Sequence, residues 1–300
     1  MNPLLARVLR GQAARAAART LLGKWGQPLY LGCVFHTEAI HDPAVFARLR
    51  PFAATLPFRP TLCVMTPENP HIAREMAAAE VTPEEFTRRL RELRGSYDIG
   101  LHGHWCAPAR EASSHYRPGR PTRIEEKGFA ITSDDPAAVE HQFSREHAFL
   151  SERFGVPEVF SAGWWQLNDT VASLLERYGF GVDCSLRRGR GDSFGERYRA
   201  PSAFPPPGRP FRLSPGGRVV ELPSAEYLHL NWWTIARNLA PLLRTADGPL
   251  FAVLPLHDYN LVGDGGAALE NLAWLGSLKN VRWLGMREMK DRALDALGGA

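Results

Sequence analysis

Asp98-Ile99-Gly100-Leu101-His102-Gly103-His104-Trp105-Cys106 is the stretch on which the reading of this chain turns. A short apolar lead-in ends in two histidines separated by one residue. Side chains two apart on a strand point the same way, so both imidazoles can converge on one point just past the strand end. Neutral imidazole is the commonest protein ligand for a divalent metal. Phe35-His36-Thr37-Glu38 and Leu254-Pro255-Leu256-His257-Asp258 repeat the layout, each an apolar run ending abruptly in titratable residues. Several strand ends presenting such groups at one face is how a barrel assembles an active site.

The rest of the composition narrows the class. Three hundred residues with 44% hydrophobic and 23% charged content make an ordinary globular chain with ample core material. The net charge of +4 is mild and spread along the chain, which argues against a nucleic-acid partner. The four cysteines, Cys33, Cys63, Cys106 and Cys184, have no C-x-x-C spacing and three fall in or beside apolar strands. They read as reduced, packed thiols in a cytoplasmic setting. Residues 1–27 form a basic segment with Arg7, Arg10, Arg15 and Arg19 among short apolar runs. These runs are too short for a signal peptide or a membrane span. The segment is expected to be helical, with peripheral contact to an anionic membrane surface as a further option.

Strands and helices alternate beyond it. Residues 29–35, 61–66, 97–102, 158–162, 181–185, 219–222, 250–257 and 281–284 read as short apolar strands. Thr82-Pro83-Glu84-Glu85 carries a capping box with Pro at the first helical position, and Phe86, Leu90 and Leu93 share a face before Gly95. Asp135-Pro136 opens a second helix ending at Gly155, and Asn168-Asp169 a third ending at Gly179. Repeated β-α units imply a parallel sheet in a single α/β domain. Residues 187–218, dense in Arg, Gly and Pro, read as a long loop.

The order of these motifs resembles the polysaccharide deacetylase superfamily (NodB-homology, carbohydrate esterase family 4), and more narrowly its divergent WbmS-like branch, associated with bacterial surface-polysaccharide gene clusters. Val34-Phe35-His36-Thr37-Glu38 is similar to the family's first motif and Ile99 to Trp105 to its second. Phe160-Ser161-Ala162-Gly163-Trp164-Trp165 is similar to the third, followed by a Gly-Phe…Asp-x-Ser passage at Gly179 to Ser185. Glu221-Leu222-Pro223 resembles a Glu-x-Pro element, and Leu256-His257 the closing Leu-x-His region. The resemblance covers about residues 28–290, leaving 291–300 as a C-terminal tail. It implies a distorted (β/α)7-type barrel, a divalent metal, most simply zinc, and an N-acetylated sugar or polysaccharide substrate. The chain departs from the family pattern at three places. His36 stands where typical members carry an acid that serves as base, Ser161 where they carry Arg, and Cys106 at the second histidine of His-x-x-x-His, although the WbmS-like branch uses His-x-His.

Amide hydrolysis of such a substrate needs a Lewis acid, a base for the attacking water and an acid for the departing amine. Glu38, His102 and His104 make a two-nitrogen, one-carboxylate ligand set. His36 and Glu38 share a side of their strand, so either could bind metal while the other acts as base, and His36 is either a fourth ligand or an uncoordinated base, not both. His257 fits the acid, with Asp258 or Asp183 as a candidate partner for an imidazole. Trp105, Trp164, Trp165 and Glu221 are the candidate substrate contacts, the indoles as sugar platforms. Two other readings stay open. One is a non-catalytic carbohydrate-binding or assembly protein, suggested by His36, Ser161 and Cys106. The other is a glycoside hydrolase, which needs two carboxylates astride the bond drawn from Glu38, Asp258 and Glu221.

Overall fold

A computed structural model describes residues 16, 20, 26–105, 133, 135–165, 167–186, 209–225, 227, 228, 230, 232–239, 248–263 and 265–298. The basic segment 1–27 therefore lies almost wholly outside the described residues, as do Cys106 and the 187–208 part of the long loop.

The central strand is β1 (Leu29–Thr37), buried along nearly its whole length. Its neighbours are β2 (Thr61–Val64), β3 (Asp98–Gly103), β4 (Val159–Ala162), β5 (Val182–Asp183), β7 (Val220–Glu221) and β8 (Leu250–His257), in the order β7-β5-β4-β3-β2-β1-β8 and all parallel. The ring then closes. Just past β7, Ser224 bridges Val253 of β8, with Val253 N–H donating to Pro223 O at 2.9 Å and Ala225 N–H to Val253 O at 2.8 Å. Seven parallel strands thus make the distorted (β/α)7-type barrel that the sequence implied. Two further strands sit outside the ring. β6 (Phe211–Arg212), within the expected loop, pairs antiparallel with β7. β9 (Val281–Trp283) pairs with Leu29–Leu31 of β1.

β8 runs along β1 from Leu29 to His36, so β9 and β2 must share the other edge of β1. The edge changes partner near Gly32. A Cβ there would press on the sulfurs of Met286 and Met289, both closer than 3.0 Å. Those methionines belong to the last helix, α9 (Met286–Gly298), which closes the bottom of the barrel. They pack with Val34, Cys63, Val159, Val182, Cys184, Val220, Leu222, Phe251 and Val253, the inward side chains of the strands. Residues 291–298, expected as a tail, are the second half of this helix, with Ala293 buried in the cluster.

Outside the ring a larger cluster joins the opposite strand faces to the helices. These include α1 (Pro43–Ala53), α2 (Pro70–Ala78), α3 (Pro83–Leu93), α4 (Pro136–Phe154) and α5 (Asp169–Tyr178). The expected start signals operate: Thr82 Oγ1 accepts from Glu85 N–H at 3.2 Å, Asp135 from Ala137 and Asn168 from Val171. Gly179 ends α5 at φ 92°, the left-handed region glycine enters without penalty. Cys33, Cys63 and Cys184 are buried free thiols, raised by burial well above their usual range. No helix among the described residues is long and apolar enough to cross a membrane.

Candidate metal centre

Strand alternation aims the site. On β1, Val34 and His36 face the interior; on β3, Gly100 and His102; on β4, Val159 and Ser161; on β8, Val253 and His257. The polar member of each pair lies toward the C-terminal end, so four polar side chains crown an apolar interior. Glu38 follows directly on β1 and is buried.

The Nε2 atoms of His102, His257 and His104 lie 3.4, 3.5 and 3.6 Å from one carboxylate oxygen, Glu38 Oε1. Glu38, His102 and His104 form a buried group whose ligand atoms all lie within 4.8 Å of one another. The hydrogen bonds decide what these atoms carry. His102 Nδ1 is 2.7 Å from the carbonyl oxygen of Ser161, so that nitrogen bears the proton and Nε2 presents a lone pair. The lone pair faces the carboxylate with no hydrogen-bond partner, and Glu38 Oε2 is likewise unpartnered. Protonating His102 would relieve this, but burial and His104 lower its pKa. Burial opposes charge on Glu38 too, yet His257, His102 and His104 together hold its carboxyl well below the usual range. Two electron-rich, buried atoms facing each other call for a cation between them. Ligand atoms about 2.0–2.2 Å from a tetrahedral metal stand about 3.3–3.6 Å apart. The Glu38–His102 and Glu38–His104 separations match that edge, so the donor set fits a divalent ion.

His104 lies beyond the last residue of β3, where no ladder holds it, and two glycines make its position. A Cβ on Gly163 would meet three atoms of the His104 ring below 3.0 Å, and one on Gly103 three atoms of the Trp105 ring. The chain can lay both rings flat against backbone only because these residues lack side chains.

His36 stands apart from the carboxylate. Its Nε2 is 2.9 Å from Ser161 Oγ and its ring stacks on His102, centroids 4.3 Å apart at 13°. Burial, His102 and His257 hold its pKa well below 6.5, so it is neutral. Ser161 thereby touches two imidazoles, one through its hydroxyl and one through its carbonyl. Asp258, expected beside an imidazole, instead turns both oxygens to backbone: it accepts from Glu38 N–H at 3.2 Å, Ala39 N–H at 2.9 Å and Tyr259 N–H at 2.9 Å. It shapes the turn that carries Glu38. Burial lifts its carboxyl to about 7.

Two expected substrate contacts are misplaced. Trp105 is 3% exposed, stacked on Phe160 at 5.4 Å with its indole N–H on Glu146 Oε1 at 3.0 Å, so it anchors the core. Glu221 falls on the strand face opposite Val220 and Leu222, away from the interior, and beside Asp183 of β5. Glu221 Oε1 accepts from Leu186 N–H, while Asp183 takes both the N–H and the hydroxyl of Ser185. Burial raises Asp183 to about 6, and burial with Asp183 raises Glu221 well above the carboxylate range, as in a pair sharing one proton. The side chain of Trp164 lies outside the described ones. Trp165 does reach the site: half-buried at φ 61°, it sets its indole 5.9 Å from His36 and 5.5 Å from Tyr227. A bulky residue in the left-handed region is strained, and such strain gathers at functional sites.

Two aromatic residues missed in the sequence complete the wall. Tyr259 stacks on His257 at 4.7 Å and Tyr227 at 4.9 Å. Tyr259 was legible, two residues past His257; Tyr227 carried no signal, because the connection after β7 has no period.

No protein-family model matches the chain, and no curated protein does. Solved structures share its fold. A Mycobacterium smegmatis protein assigned to the polysaccharide deacetylases superposes with TM-score 0.56 at 16% identity, covering 90% of this chain and 92% of its own. A Pseudomonas aeruginosa protein so assigned gives 0.55 at 12%, over 89% and 91%. The allantoinase Puue gives 0.53 at 12%, over 91% and 93%. The chain therefore has the fold of the polysaccharide deacetylases.

Proposed function

We propose that the protein is a zinc-dependent deacetylase of an N-acetylated sugar or polysaccharide, with a role in surface-polysaccharide metabolism. The observation that carries the proposal is the convergence of the His102 and His104 nitrogens on the Glu38 carboxylate at the mouth of this barrel. Two imidazoles and one carboxylate are a donor set that suits zinc and leaves a position open. Glu38, His102 and His104 would hold the ion, which when bound polarises an acyl carbonyl and lowers the pKa of water toward neutrality.

The chain's own groups supply the rest. Ser161 O fixes His102 in the tautomer whose Nε2 can coordinate. Asp258 fixes the turn bearing Glu38. His36 has Nε2 engaged by Ser161, which favours the uncoordinated role over the fourth-ligand role. Neutral, it takes up the proton released by the attacking water. His257, with Nε2 3.5 Å from Glu38 Oε1, delivers a proton to the leaving amine nitrogen. Trp165 and Tyr227, both half-buried, offer apolar ring surface to a pyranose, and the buried Tyr259, stacked on His257, helps exclude water around that histidine.

A glycoside hydrolase is disfavoured. Of its three candidate carboxylates only Glu38 faces the mouth, since Asp258 is committed to backbone N–H groups and Glu221 to Asp183. A carbohydrate-binding protein without turnover is the second reading. The His36–Ser161 contact favours it, because no carboxylate base occupies that place. Elemental analysis of purified protein, followed by an acetate-release assay on chitin oligosaccharides and bacterial acetylated polysaccharides, separates the three. Metal with acetate release supports the deacetylase, metal without release of acetate the binding protein, and hydrolysis of glycosidic bonds without metal the glycoside hydrolase.

A further inference from the structure

A buried polar hub lies behind the candidate metal centre, on helix α4, which supplies none of the Glu38, His102 and His104 group. Glu146 of α4 is fully buried. Its Oε1 accepts from Gln142 Nε2 at 3.0 Å, Trp105 Nε1 at 3.0 Å and Asn69 Nδ2 at 3.2 Å, and its Oε2 faces the N–H and hydroxyl of Thr66, each at 3.4 Å. A helix interior has no need of such a group, and an apolar residue would fill the space at less desolvation cost. Apart from Gln142, one turn earlier on α4, the donors share a place. Thr66 and Asn69 belong to the connection leaving β2, and Trp105 to the connection leaving β3, next to His104. Asn69 also donates to the carbonyl oxygen of His104 itself, at 3.2 Å.

We infer that Glu146 is a positioning residue that holds His104 at ligand distance by tying its two flanking supports, Asn69 and Trp105, to one carboxylate on α4. The inference rests on the zinc reading of the site. His102 is held by the ladder of β3 and Glu38 by the turn on Asp258, but His104 stands one residue past the ladder. Its backbone is fixed by the Asn69 hydrogen bond on one side and by the buried Trp105 ring on the other. Both fixings end on Glu146 Oε1. Removing the carboxylate frees all five donors, Asn69 and Trp105 among them, and lets the 104–105 turn relax, while leaving every ligand atom in the chain.

The test is zinc affinity, measured by competition with a chelating dye on metal-stripped protein, for the unmutated protein, Glu146→Leu and Trp105→Phe. Supporting partners behind a metal ligand typically contribute about 10–100-fold in affinity. The expected result is a loss of that size in Glu146→Leu, which removes the acceptor shared by Asn69 and Trp105 and keeps an apolar side chain in the buried space. A loss in the same direction is expected in Trp105→Phe, which removes the indole N–H but keeps an aromatic ring in the core. A merely structural role would lower the melting temperature and leave zinc affinity, read far below that temperature, unchanged in both variants. That outcome, with tight binding by the unmutated protein, overturns this inference alone. Absence of zinc binding by the unmutated protein overturns it together with the function it rests on. Should Glu146→Leu not fold, Trp105→Phe decides by the same criterion.

Discussion

Replacing Gly163 by alanine adds one methyl group and tests the metal centre without touching a ligand. The new Cβ would lie below 3.0 Å from Cε1, Nε2 and Nδ1 of His104. Carbon atoms are comfortable at about 3.5–4.0 Å, so the ring must withdraw by about 1 Å. The neighbour is the end of a side chain, so the ring can turn away and the barrel remains intact. A metal–ligand bond tolerates only about 0.2 Å of error, so this movement removes His104 from any ion shared with His102 and Glu38. The expected loss in zinc affinity is on the order of a hundredfold or more, at least that of removing a supporting partner. Isothermal titration of zinc into metal-stripped Gly163→Ala and unmutated protein reads it, with circular dichroism as the fold control. Serine should behave as alanine does, since the clash is at Cβ. Unaltered zinc affinity in a folded Gly163→Ala protein would refute the reasoning, because His104 would then not be a ligand in the position described.

Three further outcomes are expected. His257→Ala should retain zinc and lose turnover on the order of a hundredfold or more; loss of zinc instead would make His257 a ligand, as its 3.5 Å approach to Glu38 Oε1 permits. His36→Ala should likewise keep zinc, because Ser161 rather than the carboxylate engages Nε2, and should lose acetate release; a fall in metal content would restore the ligand role. The Asp183–Glu221 pair sets a pH dependence of stability. Both carboxyls are raised in the fold, so the folded state binds more protons than the unfolded state from about pH 4 upward, and stability falls as pH rises through the folded values. Glu221→Gln keeps a donor toward Asp183 without the second charge. Its urea midpoint at about pH 8 should exceed that of the unmutated protein, with the gap narrowing at about pH 5; a gap that widens on acidification would show the pair to be ionised and paired otherwise.

The strands and helices were legible because their signals are local, whereas closure into a barrel was implied only by the family resemblance. Strands such as Leu250–His257 are unbroken apolar runs, which a strand buried on both faces requires, and Thr82, Asp135 and Asn168 announce helix starts by side-chain chemistry that acts within three residues. The histidine pair was legible for the same reason, since a period of two fixes a shared direction. Residues 291–300 are expected as a tail, but 291–298 continue the helix that begins at Met286, and what marks that helix is the apolar cluster it meets in the fold.

What the sequence determined by itself is which residues stand at strand ends. It placed Glu38, His36, His102, His104 and His257 there, and it could go no further, because strand periodicity says nothing of the distance between strands far apart in the chain. Tertiary structure decided the partition among them. Closure of the ring brings Ser161 to His36, separated by 125 residues, and so occupies the nitrogen that could otherwise have coordinated. It brings Asp258, a candidate partner for an imidazole, to the backbone of Glu38 across 220 residues, where it supports the turn. Burial made the remaining distinctions: Trp105, Glu146 and Glu221 are indistinguishable in sequence from surface groups. Their roles follow from having no water to turn to, so that each must find its partner within the protein.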